Sequence, residues 1–168
     1  IPLKQSAALL QRGMRCCRHR QAFQLLAVGE YTLNNALENL ETLGSTLAAG
    51  RHMESAFPDI AVYLDPILCS LVLDNAISNA FLHGHLYDPA VTFRIEVDDT
   101  EAPVDPRERM RPVSLVFRVT NRVNPQKPTI TKEFLENLAK GAPIAKTSFL
   151  SDHIGVQHSV LAAKALGA

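Results

Sequence analysis

"LVLDNAISNAFLHG", residues Leu71 to Gly84, places two asparagines one helical turn apart in an otherwise apolar run. Upstream, Asp65-Pro66 forms a helix start, an acidic cap followed by proline at the first helical position. Gly84 is a stop signal, so the spacing predicts one helix over 66–83. Neighbours at i, i+3, i+4 and i+7 put Val72, Asn75, Asn79 and His83 on one partly polar stripe. The other sides carry Leu68, Leu71, Leu73, Ile77 and Phe81, so the helix is expected to be largely buried. Buried amides need partners, because an unsatisfied polar group costs ~1–3 kcal/mol. Two readings stand at this point: the asparagines bond to neighbouring backbone or water, or they hold a ligand.

Around this helix the texture is mixed. "RHMESA" (51–56) and "DIAVYLD" (59–65) read as short strands before it, and "VTFRIEV" (91–97) and "PVSLVFRVTN" (112–121) as alternating sheet strands after it. The polar segment 98–111 between the later strands is a loop, and so is 122–131 with Pro125 and Pro128. "KEFLENLAKG" (132–141) reads as a short helix ended by Gly141, and "GVQHSVLAAKALG" (155–167) as a last helix closed by Gly167. Before all of these, residues 3–28 carry a seam of Leu3, Ala7, Leu10, Met14 and Cys17, at alternating steps of four and three. Thr32 then caps a second expected helix, with Leu33, Leu37, Leu40, Leu43 and Leu47 in a stripe that runs out at Gly50. The expectation is an all-α helical hairpin over 1–50 followed by an α+β domain over 51–168, a two-layer sandwich of helices on a mixed, mostly antiparallel sheet. The hairpin buries too little alone, and either a second copy or the rest of the chain covers it.

Composition narrows the function classes. The chain has 17 basic and 17 acidic residues among 168, so no net charge draws it to nucleic acid or to an anionic membrane. Tryptophan is absent and no apolar run approaches the ~20 residues of a membrane span. Cys16, Cys17 and Cys69 have neither a disulfide framework nor metal-ligand spacing, which suits free thiols in a reducing cytoplasm. Opening on Ile1 and ending on Ala168, the sequence reads as an excerpt of a longer protein.

"NAISNAFLHG" resembles the N box of the GHKL (Bergerat-fold) ATPase superfamily, which includes sensor histidine kinases. In those kinases the helix reads roughly N-x-x-x-N-A-x-K-[HFY], and Asn75, Asn79, Ala80 and His83 match, as does the acidic entry at Asp65. The resemblance implies ATP and Mg²⁺ as cofactors, Asn79 as the metal ligand, Asn75 in the shell around metal and attacking group, and His83 near the phosphates. Amide oxygens suit this task, since Mg²⁺ takes hard oxygen ligands and keeps triphosphate oxygens and waters in its shell. The strand ending "FRVTN" puts Asn121 where the family has its adenine-recognising aspartate. "DHIGVQHSVLAAKALG" resembles a worn second glycine box, with Gly155 its surviving glycine and His153 in place of the first. A glycine there would let backbone N–H groups meet phosphate at a helix start.

The chain also departs from the pattern. Leu82 stands at the phosphate-binding lysine, with His83, Lys140 or Lys146 as substitutes, and the first glycine box is not recognisable in "TNRVNPQKP". The resemblance implies a kinase passing the ATP γ-phosphate to a histidine in two-component signal transduction, dimeric through the hairpin and served by a response regulator or receiver domain. His19, the hairpin's one histidine, is the phosphoacceptor candidate, although Arg18 and Arg20 flank it where an acidic residue usually follows; the equal alternative is a solvated residue on a basic face. His52, His85 and His158 read as surface or packing residues. Two other readings remain: a pseudokinase that keeps the fold as a relay module, and a serine kinase of the anti-sigma-factor type.

Overall fold

The computed structural model describes residues 2–98, 112–127, 131–133, 136 and 150–167. Most of the expected loop 98–111, most of the expected helix 132–141, Pro128, Lys140 and Lys146 lie outside the described residues. The chain is mixed α+β, with four helices and two small sheets among the described residues. In order these are α1 (Pro2–Ala27), β1 (Ala36–Asn39), α2 (Leu40–Ala48), β2 (Glu54–Ala56), β3 (Ala61–Leu64), α3 (Pro66–His83), β4 (Thr92–Asp98), β5 (Ser114–Thr120) and α4 (Leu150–Leu166). No helix among the described residues is long and apolar enough to cross a membrane.

α3 forms where its local signals put it. Asp65 accepts from the Ile67 and Leu68 backbone N–H groups, Pro66 opens the first turn, and the Gly84 N–H closes on Ala80 O. Gly84 is required by space: an added Cβ would lie 2.5 Å from Ala80 O and 2.7 Å from Pro89 Cβ. Apolar residues on two of its sides bury the helix in two clusters at once. Leu73 and Ile77 join Leu40, Leu43 and Phe93 in one cluster with α2, β3 and β4. Leu68 and Leu71 join Ala22 of α1 and Ala162 of α4 in a second. Phe93 is fully buried, with Phe57 edge-on at 5.0 Å, and that ring leaves no room for a Cβ on Gly44.

The strands divide into two sheets. β1 pairs antiparallel with β3, while β4 lies between β2, parallel to it, and β5, antiparallel over its whole length. All four expected strands form, at Glu54–Ala56, Ala61–Leu64, Thr92–Asp98 and Ser114–Thr120.

Two expectations need correction. The second helix of the hairpin does not run from Leu33: residues 36–39 are a strand, and the helix is confined to Leu40–Ala48. Asn39 caps it, accepting from Thr42 N at 2.9 Å, and Leu40 N donates to Ile60 O at 2.9 Å. Leu33 and Leu37, the start of the expected stripe, are exposed, and α2 buries Leu43 and Leu47 against α3 and β4 rather than against α1. The last helix begins at Leu150, so Gly155 sits inside α4 with five helical residues ahead of it, not before its first turn. A glycine-lined N-terminus at 155 is therefore not formed.

Candidate functional site

The Asn75–Asn79–His83 stripe of α3 is half-buried and runs beside α4. Asn75 Nδ2 donates to Gly155 O at 3.1 Å and to Ser159 Oγ at 3.2 Å, and Ser159 Oγ donates back to Gly155 O at 3.0 Å. A Cβ on Gly155 would meet the Asn75 amide at 3.7 Å, an ordinary contact. The chain thus brings Asn75 and Gly155 together, but Gly155 offers a carbonyl to the amide rather than N–H groups to a phosphate. One turn on, Asn79 hydrogen-bonds to none of the described residues.

At the C-terminal end of α3 the second expected group assembles. Lys127 Nζ donates to Leu82 O at 2.9 Å and lies 3.0 Å from His83 Nδ1. An ammonium beside that nitrogen fixes it as an acceptor. Lys127 escaped the sequence reading, which sought the missing cation at Lys140 and Lys146; the "NPQKP" loop carried no signal of where it folds back. Asn121 directly follows β5 with its side chain exposed, its Nδ2 donating to Arg122 O at 3.1 Å and approaching Gly84. His85 N to Arg122 O and Arg122 N to Pro89 O stitch this corner to the end of α3.

These residues bear on a magnesium–triphosphate in a limited way. Among the described residues no group of three or more His, Cys, Asp or Glu side chains suits a metal. The Asn79 amide bonds to none of the described residues, and it would supply a single neutral oxygen to a cation carried in by its phosphates. Bound there, the metal would neutralise phosphate charge.

His19 lies elsewhere. It does point away from the Leu10–Met14 seam, but α3 covers that side of α1. Its Nε2 is 2.8 Å from Ser70 Oγ, and Ser70 Oγ donates its proton to Ile67 O at 3.0 Å. The hydroxyl has one proton to give, so His19 donates from Nε2. Arg15 Nε, one turn N-terminal, is 3.2 Å from Asp74 Oδ2, and Arg51 Nη1 is 3.0 Å from Asp74 Oδ1. His158 of α4 stacks on Phe23 of α1 with ring centroids 3.4 Å apart. Sequence alone did not reveal this seam, because Arg15, His19 and Asp74 look like solvated residues until the helices are docked. Cys69 is buried, its thiol pushed up to about 11 by burial, while Cys16 and Cys17 are exposed, and all three are free.

Both seam histidines carry a pH consequence. Burial lowers the pKa of His19 below its ordinary 6.5, Asp74 partly opposing and Arg15 reinforcing, and burial lowers that of His158 likewise. A base with a lowered folded-state pKa binds more protons unfolded than folded, so stability increases with pH across the window. The contribution is complete above 6.5 and is lost as pH falls from there through the folded-state values. Urea midpoints measured from neutral pH downward are expected to fall across this range. The slope should flatten in a His19→Asn, His158→Phe double variant, and an equal slope in that variant would refute the assignment.

Compared with models of known protein families and with curated proteins, the chain matches none.

Proposed function

We propose that the chain is the ATP·Mg²⁺-binding region of a sensor-histidine-kinase-like protein, built on the Bergerat plan of helices over a sheet. One observation carries this reading: residues drawn from three distant segments meet on one face of α3. Gly155 comes to Asn75 across 80 positions, Lys127 to His83 across 44, and Asn121 packs at Gly84. Lys127 supports the reading further, since it supplies a cation beside Leu82, where the kinase pattern has lysine. In this reading Asn79 offers its oxygen to the metal, His83 and Lys127 face the phosphates, and Asn121 accepts from the adenine amino group. The apolar seam of α1 supports pairing with a second copy: Leu10 and Met14 are 71% and 59% exposed beside Leu9 and Gly13. A cytoplasmic setting and a response-regulator partner belong to the same proposal.

A second reading, the fold kept as a relay module without phosphotransfer, is favoured by His19. Its Nε2 is committed to Ser70 and its ring is covered by α3, so it meets no phosphate while α1 stays docked.

Thermal melting with ATP and Mg²⁺ tests both. A saturable rise in melting temperature is expected, abolished by EDTA and by Asn79→Ala, because a ligand that binds only the folded state stabilises it by mass action. No rise at ~1 mM nucleotide would end the ATP reading. Given binding, acid-labile phosphate on the chain identifies the kinase, and its lack identifies the relay.

A further inference from the structure

The seam between α1, α2 and α3 gathers more positive charge than it balances. Arg15 and Arg51 both reach Asp74, and their side chains are 14% and 8% exposed. Arg12, one turn before Arg15 on α1, donates from Nη2 to Ala49 O at 3.3 Å, and its Nε is sealed from solvent with no partner among the described residues. Arg51 also reaches Leu47 O at 3.2 Å and Ser78 Oγ at 3.3 Å. Two guanidinium groups therefore share one carboxylate, Arg12 adds a third with no ion pair among the described residues, and arginine does not shed its proton to relieve the excess.

We propose that this Arg12–Arg15–Arg51 cluster binds a small doubly charged oxyanion of the phosphate class. The planar fork of guanidinium matches the edge of a tetrahedral oxyanion bidentately, and two unit charges in excess equal one dianion. The buried Nε of Arg12 is a donor for which the described residues supply no acceptor. Burial foremost lowers the pKa of Arg51; Asp74 opposes this, and Arg12 and Arg15 act in the same direction as burial. The site is distinct from the Asn75–Asn79 face: Asp74 and Ser78 precede those residues by one position each, about 100° around the helix. Its occupant would clamp α1 to α3.

The test is a thermal and calorimetric titration of the whole chain with sodium phosphate against sodium chloride at matched ionic strength. Saturable binding of phosphate, weakened about tenfold or more by Arg12→Gln, is the expected result. Should Arg12→Gln fail to fold, Arg12→Lys serves, since it keeps the charge and removes Nε. Asn79→Ala is expected to retain the phosphate response while losing the Mg²⁺-dependent response to ATP, so the two sites fail separately. Phosphoserine run in parallel separates sources: binding of phosphate alone marks a free oxyanion, and binding of both marks the phosphoryl end of a larger molecule. A phosphate response equal to that of chloride, one unchanged in the Arg12 variants, or one lost with Asn79→Ala overturns the proposal.

Discussion

Replacing Asp74 by alanine is expected to loosen α1 from the body of the chain and to destabilise it by about 3 kcal/mol. The carboxylate is 12% exposed and carries both Arg15 at 3.2 Å and Arg51 at 3.0 Å. Deleting it leaves those guanidinium groups, and Arg12 beside them, facing one another without an anion. Removing one partner of a buried pair costs ~3–5 kcal/mol, and residual solvent access at this seam puts the effect at the lower end. Asp74→Asn keeps the shape and some acceptor capacity, so it should lose less. The exposed pair Arg118–Glu96, at 56% and 47% exposure, provides the internal comparison, and Glu96→Ala should stay within ~0.5 kcal/mol. Urea unfolding reads the stability, and trypsin cleavage after Arg18 and Arg20 reads the release of α1. An Asp74→Ala loss no larger than that of Glu96→Ala would show that α1 is held by Ala22 and its apolar neighbours alone.

Asp65→Ala is expected to have an effect of similar size by a different route, also about 3 kcal/mol, or roughly a 10 °C drop in melting temperature for a chain of this length. Asp65 is fully buried and accepts four donors: Ile67 N and Leu68 N at 3.0 Å each, Asn34 N at 2.9 Å, and Tyr31 Oη at 3.0 and 3.2 Å. It therefore caps α3 and also ties down the segment between α1 and β1. Burial foremost, and then Asp65, raise the Tyr31 pKa, so the phenol keeps its proton and remains a donor throughout the neutral range. Tyr31→Phe removes one bond and should cost about 1 kcal/mol. Asp65→Ser retains a capping oxygen and should fall between the two. Equal losses for Asp65→Ala and Tyr31→Phe would mean that the α3 cap contributes little.

Legibility followed the range of the forces involved. α3 could be read because its signals lie within a few residues of its ends: Asp65, Pro66 and Gly84. β4 and β5 could be read because alternation is written along each strand. The stripe Leu33–Leu47 misled because its spacing suits a helix, while the competing interaction, pairing of Ala36–Asn39 with Ala61–Leu64, lies more than twenty positions away. Gly155 misled in a related way. Glycine is a strong signal at a helix end but is tolerated inside one, and packing of α4 on α3 decided between the two.

At the candidate site the residue types and the face they share were set by local spacing, since the helical repeat alone aligns Asn75, Asn79 and His83. What each amide or ring touches was not. Ser159, Gly155 and Lys127 reach α3 from 44 to 84 positions away, and a hydrogen bond over that distance depends on how helices and sheets dock. For the same reason His19, which local pattern leaves open to solvent, is half-buried and bonded to Ser70, because the side of α1 that carries it packs on α3. Sequence determined the periodicity and the caps, which are short-range properties of the backbone. Tertiary packing alone decided which polar groups lost their water, and with it which of them are free to bind anything.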